Sequence, residues 1–179
     1  MADVLNAENL ASLVSSVTET MCATKFSPWD SMARGESLAG KMVLLPLEGA
    51  RKINIVLAYD GRGGRALASK LFRVPPENLN PELVDDAVHE LLNMVAGQVT
   101  RSLKIDQRLG LPRPTNMAEI AAEGGPETAD SVLLRSEGNA DLRLWIFERV
   151  DAAPAMAAAP RLPVGQRVKL LVRKLVQKA

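Results

Sequence analysis

The chain has 179 residues, 47% apolar and 24% charged, with a formal net charge of +1. That balance suits a folded domain with one core and lacks the basic excess of a general nucleic-acid binder. No apolar run reaches the roughly 18 residues of a membrane span, and a single Cys22 with a single His89 excludes an internal disulfide and the usual zinc ligand set.

The start, Met1 to Asn6, has no basic segment followed by an apolar core, so a signal peptide is not expected there. Together with one unpaired thiol, this points to a cytoplasmic protein. Residues 8–24 read as a first helix on Leu10, Leu13, Val14, Val17 and Met21, with Asn6 available as its cap. Phe26, Pro28 and Trp29 just after it read as a hydrophobic plug. Residues 41–47 and 52–59 read as two strands joined at Glu48-Gly49-Ala50-Arg51. Asp60-Gly61-Arg62-Gly63-Gly64 is expected to break the chain before a short helix over 65–72. This glycine run lacks the Lys-Ser/Thr of a phosphate-binding loop and the spacing of a dinucleotide fingerprint, so it reads as a turn. Asn80 and Pro81 then supply the cap and first turn of a long helix.

Residues 105–130 are rich in Gly and Pro, and a short strand near 115–118 or a loop is expected. A second hairpin follows, about 131–136 and 141–148, turning at Glu137-Gly138-Asn139-Ala140. The domain closes near residue 150. Residues 151–163 are nearly all Ala and Pro and read as a linker. Residues 164–179 carry Val164, Val168, Leu171, Val172 and Leu175 at helical spacing beside Arg167, Lys169, Arg173, Lys174 and Lys178. That basic amphipathic tail helix either docks on the domain, or frays, or tethers the protein to a partner groove or an acidic membrane surface. The order of elements implies an α+β fold: an antiparallel sheet built from two similar helix-plus-hairpin halves and flanked by helices.

The long helix, residues 86–104 in particular, holds the chemistry. At 100° per residue Asp86, Glu90, Asn93, Gly97 and Arg101 share a stripe roughly 80° wide. Val84, Val88, Leu91, Leu92, Val95, Val99 and Leu103 form the opposite, apolar face. Asn93 and Gly97 are poor helix formers on the wet side of a helix that does not need them for its core. An acid and a carboxamide one turn apart, with a bare position beyond, suggest a surface kept for contact. Ser15, Glu19 and Cys22 repeat the spacing of Asp86, Glu90 and Asn93 on the first helix, without a carboxamide, as a remnant or a coincidence. His89 has no triad partner and reads as a surface or boundary residue.

The pattern Asp86-x3-Glu90-x2-Asn93, followed by Met94-Val95-Ala96-Gly97 and a proline about twenty residues on (Pro112 or Pro114), resembles the signature of the CheC/CheX/FliY phosphatases. Leu109-Gly110-Leu111-Pro112 and the upstream Leu71-Phe72 fall where CheX-like chains have similar segments, and the resemblance spans roughly residues 10–148. It implies dephosphorylation of the phospho-aspartate of a CheY-like response-regulator receiver in chemotaxis or two-component signalling. In the resembling family the residues matching Asn93 and Glu90 are the catalytic pair, orienting the attacking water and docking the receiver's lysine. Asp86, Met94, Gly97 and Arg101 would surround them as partner contacts. The resemblance implies no cofactor beyond the Mg ion of the receiver itself, no nucleic acid, and a homodimer through sheet edges as one arrangement. The alternative is a non-catalytic receiver-binding or flagellar-switch-like module. A binding module has no chemical need for both Glu90 and Asn93.

Overall fold

A computed structural model describes residues 7–29, 40–125, 130–136 and 141–149. The expected cap Asn6, the turn over 137–140, the linker over 151–163 and the tail over 164–179 lie outside them. The fold is α+β, as expected, and a seven-stranded antiparallel sheet organises it.

Helix α1 (Ala7–Cys22) leads into the short strand β1 (Phe26–Pro28), then β2 (Lys41–Gly49) and β3 (Ile53–Tyr59) form the first hairpin. The second hairpin is β6 (Asp130–Ser136) with β7 (Asp141–Glu148). The two hairpins are joined side by side through β3 and β7, paired from Ile53↔Glu148 to Tyr59↔Leu142. This places the most apolar strand, β3, at the centre, where all seven of its residues are buried. Strand β1 extends the sheet beyond β6, and on the other side β4 (Gln107–Leu109) and β5 (Arg113–Thr115) both pair with the outer edge of β2.

One face of the sheet carries Val43, Leu45, Ile55, Leu57, Leu134 and Leu144 and packs beneath α1, α2 (Gly61–Phe72) and α3 (Pro81–Leu103). The other face holds a smaller core of Leu44, Val56, Ala58, Trp145 and Phe147, closed by Ile120 of the short helix α4 (Met117–Ala122). Alternation along each strand assigns the two sets to opposite faces.

Two local expectations are corrected. The Asp60–Gly64 run does not break the chain, because α2 begins at Gly61 with Asp60 accepting from the Gly63 amide as its cap. The glycines serve packing. A Cβ on Gly64 would sit 2.7 Å from the Tyr59 ring and 2.8 Å from Val84, and one on Gly63 2.8 Å from the Asp141 carbonyl. Bare backbone there brings α2 close to the sheet and to α3, which offsets the low helix propensity of glycine.

Residues 105–125 are also more regular than expected. Strand β5 ends at Thr115, and Asn116 caps α4 by accepting from the Glu119 amide at 3.0 Å. Pro114 is tolerated in β5 because that strand lies at the edge, where a missing N–H costs no ladder bond. Trp29 is 39% exposed rather than a plug, and the Arg135 guanidinium stacks 4.0 Å from its ring centroid. Arginine over an aromatic face is a favourable cation–π contact.

Candidate functional site

Helix α3 is 23 residues long, about 35 Å at 1.5 Å per residue. Asn80 accepts from the Leu83 amide at 2.8 Å, and Pro81 fits the first turn, where no backbone donor is needed. At its end Lys104 turns left-handed (φ 50), and the Ile105 amide bonds the Thr100 carbonyl at 3.2 Å. Both termini are therefore capped, which offsets part of the cost of their unpaired backbone groups.

Its buried face is Val84, Ala87, Val88, Leu91, Leu92, Val95, Ala96 and Val99, so the apolar stripe read from the sequence is the face packed on the sheet. Asp86, Glu90 and Arg101 are exposed, and Asn93, Met94 and Gly97 are half-buried. Helical geometry thus sets Asp86, Glu90, Asn93, Gly97 and Arg101 along one accessible stripe, with Met94 packed against the core at its rim. Among the described residues neither Glu90 nor Asn93 makes a side-chain hydrogen bond, so acid and carboxamide are both available to a visitor.

Gly97 differs from most of the other glycines. A Cβ at Gly40, Gly49, Gly63, Gly64, Gly110 or Gly125 would come within 3.0 Å of a neighbour, whereas at Gly97 its nearest neighbour is an Arg101 guanidinium nitrogen at 3.9 Å. Among the described residues nothing in the packing requires glycine there. Its carbonyl accepts from Thr100 Oγ1 at 3.0 Å and from Arg101 Nε at 3.2 Å, which lays the Arg101 side chain back along the stripe.

Next to the stripe, α3 is pinned to the sheet by a polar cluster the sequence did not announce. Lys41 Nζ and the Tyr59 hydroxyl both donate to Asp85 Oδ1, at 2.7 and 2.8 Å. Burial opposes the charge on Asp85, but the bonds from Lys41 and Tyr59 outweigh it and hold the carboxyl below its ordinary value. Tyr59 is pushed up, first by burial and then by its bond to Asp85. The only available signal was the lone tyrosine of the chain at the end of a strand that is aliphatic but for Asn54.

The first helix does not build a second site. Ser15 is buried, donates to the Phe26 carbonyl and accepts from the Phe26 amide at 3.2 Å. Cys22 is buried too, its thiol donating to the Thr18 carbonyl at 3.1 Å and pushed up in pKa mainly by burial. Only Glu19 of that trio is exposed. Among the described residues no group of three His, Cys, Asp or Glu side chains is placed to hold a metal, and no helix is long and apolar enough to cross a membrane.

An exposed acid and a half-buried carboxamide on one long helix, beside a bare glycine, make up the candidate site. The model of the chemotaxis phosphatase CheX matches residues 42–129, from β2 through α4, and so includes the whole stripe. The chain is a CheX-like protein of the CheC/CheX/FliY family.

Among solved structures it is similar to CheX from Vibrio vulnificus, with 20% identity, a TM-score of 0.58, and coverage of 78% of this chain and 93% of that one. It is also similar to a chain of the CheX–CheY–BeF3–Mg complex from Borrelia burgdorferi, at 17% identity and a TM-score of 0.56, covering 79% and 96% of the two chains. A chain of the FliM–SpeE complex from H. pylori shares the fold at 9% identity and a TM-score of 0.55, covering 80% and 83% of the two chains. No curated protein matches in sequence.

Proposed function

We propose that this protein hydrolyses the phospho-aspartate of a CheY-like receiver domain in a cytoplasmic chemotaxis or related two-component pathway. Water attacks phosphorus in line, the bond from phosphorus to the aspartyl oxygen breaks, and inorganic phosphate and a free carboxylate result. Such a reaction is accelerated mainly by positioning and charge stabilisation, so the protein needs no nucleophile of its own. Asn93 suits the positioning role because a carboxamide oxygen accepts from the water while its nitrogen donates to a neighbouring oxygen. Glu90, three residues earlier on the same face, is suited to pairing with the receiver's lysine and so fixing the docking register. Asp86, Met94, Gly97 and Arg101 would frame the contact. The Mg ion of this chemistry would belong to the receiver.

The observation that carries this reading is the unspent stripe: among the described residues the Asn93 side chain makes no hydrogen bond, and nothing fills the space beside Gly97. The family match and the likeness to a chain crystallised with a beryllofluoride-loaded CheY support it.

The test is dephosphorylation of a panel of purified phosphorylated receivers. Asn93→Ala is expected to lower turnover about a hundredfold, the scale of removing one positioned polar group from a reacting centre. It should leave binding of a beryllofluoride-loaded receiver nearly intact. Glu90→Ala should instead weaken that binding about tenfold, as loss of a charge-assisted contact of 1–2 kcal/mol would. Undiminished turnover in Asn93→Ala would rule out the role given to the carboxamide and leave a binding module.

A further inference from the structure

A cavity of about 300 Å³ lies between the start of β2, the end of β3, β5 and α3. Met42, Val43 and Pro114 give it apolar walls, and Tyr59, Asp85 and His89 give it polar ones. Tyr59 and Asp85 are already bonded to each other, and Lys41, also on the wall, is bonded to Asp85. His89 differs: its half-buried imidazole makes no hydrogen bond among the described residues. A neutral imidazole always carries one N–H donor, so that group has no hydrogen-bond partner among the described residues. His89 also stands four residues before Asn93 and one before Glu90, so the same ring borders both the cavity and the stripe.

We infer that this cavity is a second docking point for the receiver, taking one receiver side chain that is apolar along its stem and ends in a hydrogen-bond acceptor for His89. The inference rests on the reading of Asn93 as the group aimed at the phosphoryl centre. A receiver seated over Asn93 must lie across His89, because side chains four apart on a helix stand about 6 Å from each other. The volume is at the lower limit of small-molecule sites and fits one large side chain better than a cofactor. The chemistry divides accordingly: Asn93 acts on the reacting water, while His89 and the cavity hold the partner in place.

Steady-state dephosphorylation separates the two roles. His89→Leu keeps the bulk and removes the donor, and it should raise the half-saturating receiver concentration about five- to tenfold with turnover at saturation changed less than twofold. His89→Gln retains a donor and should recover most of the affinity. Asn93→Ala should show the reverse split. If His89→Leu saturates like the unaltered protein while Asn93→Ala loses turnover, the second docking point is wrong and the phosphatase reading stands. If Asn93→Ala keeps its turnover, the phosphatase reading falls, and binding of beryllofluoride-loaded receiver to His89→Leu decides the cavity alone: unweakened binding overturns it. Should Leu at position 89 prevent folding, His89→Ala makes the same comparison against His89→Gln.

Discussion

The Tyr59 hydroxyl donates to Asp85 Oδ1 at 2.8 Å, tying the last residue of the central strand to the second turn of the helix that carries Asn93. Lys41 Nζ bonds both oxygens of the same carboxylate, at 2.7 and 2.9 Å. Tyr59→Phe removes one of these ties and leaves the ring in the core. We expect a loss of about 1 kcal/mol, the usual net value of one hydrogen bond. Urea unfolding measures it, and an unchanged midpoint would mean that Lys41 and water satisfy Asp85 equally well.

Gly97→Ala should move stability and activity in opposite directions. Alanine is a better helix former by about 0.8–1 kcal/mol, and the added methyl has room in the free protein. The melting temperature should therefore rise. On the proposed docking, receiver dephosphorylation should fall several-fold, because the methyl would occupy the space left for the partner. A stabilised variant with full activity would show that the bare position has no part in docking.

Acid should unfold the protein through three carboxylates with lowered pKa. On Asp85 burial acts the other way and is outweighed by bonds from Lys41 and Tyr59; Glu119 is lowered chiefly by Thr115 and then Arg113, and Glu148 by Arg51. A carboxyl whose folded pKa lies below its unfolded one stabilises above the unfolded value, about 3.9 for Asp and 4.3 for Glu, and that stability disappears as pH falls through the folded one. Thermal stability should therefore be flat from neutral pH to about 5 and decline below about 4. Asp85→Asn should flatten part of that decline.

The thiol of Cys22 is buried and raised in pKa by that burial, so native protein should react with iodoacetamide far more slowly than protein in denaturant. Mass spectrometry after a short exposure reads this directly. Labelling of the native protein at the rate seen in denaturant would contradict the packing of α1.

Much of the molecule could be read from the chain because its signals are periodic. The apolar run over 53–59 specifies a strand, though not that both its faces are buried. The 3.6-residue repeat in α3 specifies both the helix and the side it buries, so hairpins, long helix and exposed stripe are where the pattern puts them. Less was legible where glycine serves distant packing. Gly63 and Gly64 look like a turn locally, and only the closeness of Tyr59, Val84 and Asp141 explains why they are helical. The strands over 107–109 and 113–115 are three residues each, too short for any period, and exist because β2 has an open edge to pair. For the candidate site, spacing alone aligned Glu90, Asn93 and Gly97. It could not show that His89 borders a cavity, because two of the cavity's walls come from β2 and β5, far off in sequence.

The inward residues of α3 anchor the rod without any help from Glu90 or Asn93, so tenancy of the outer stripe is free to change. A descendant could exchange its acid and amide for other side chains and lose the proposed hydrolysis while melting at the same temperature. An architecture with its accessible stripe on one side of a beam and its cohesion on the other could pass between cutting a signal and merely holding it, one substitution at a time.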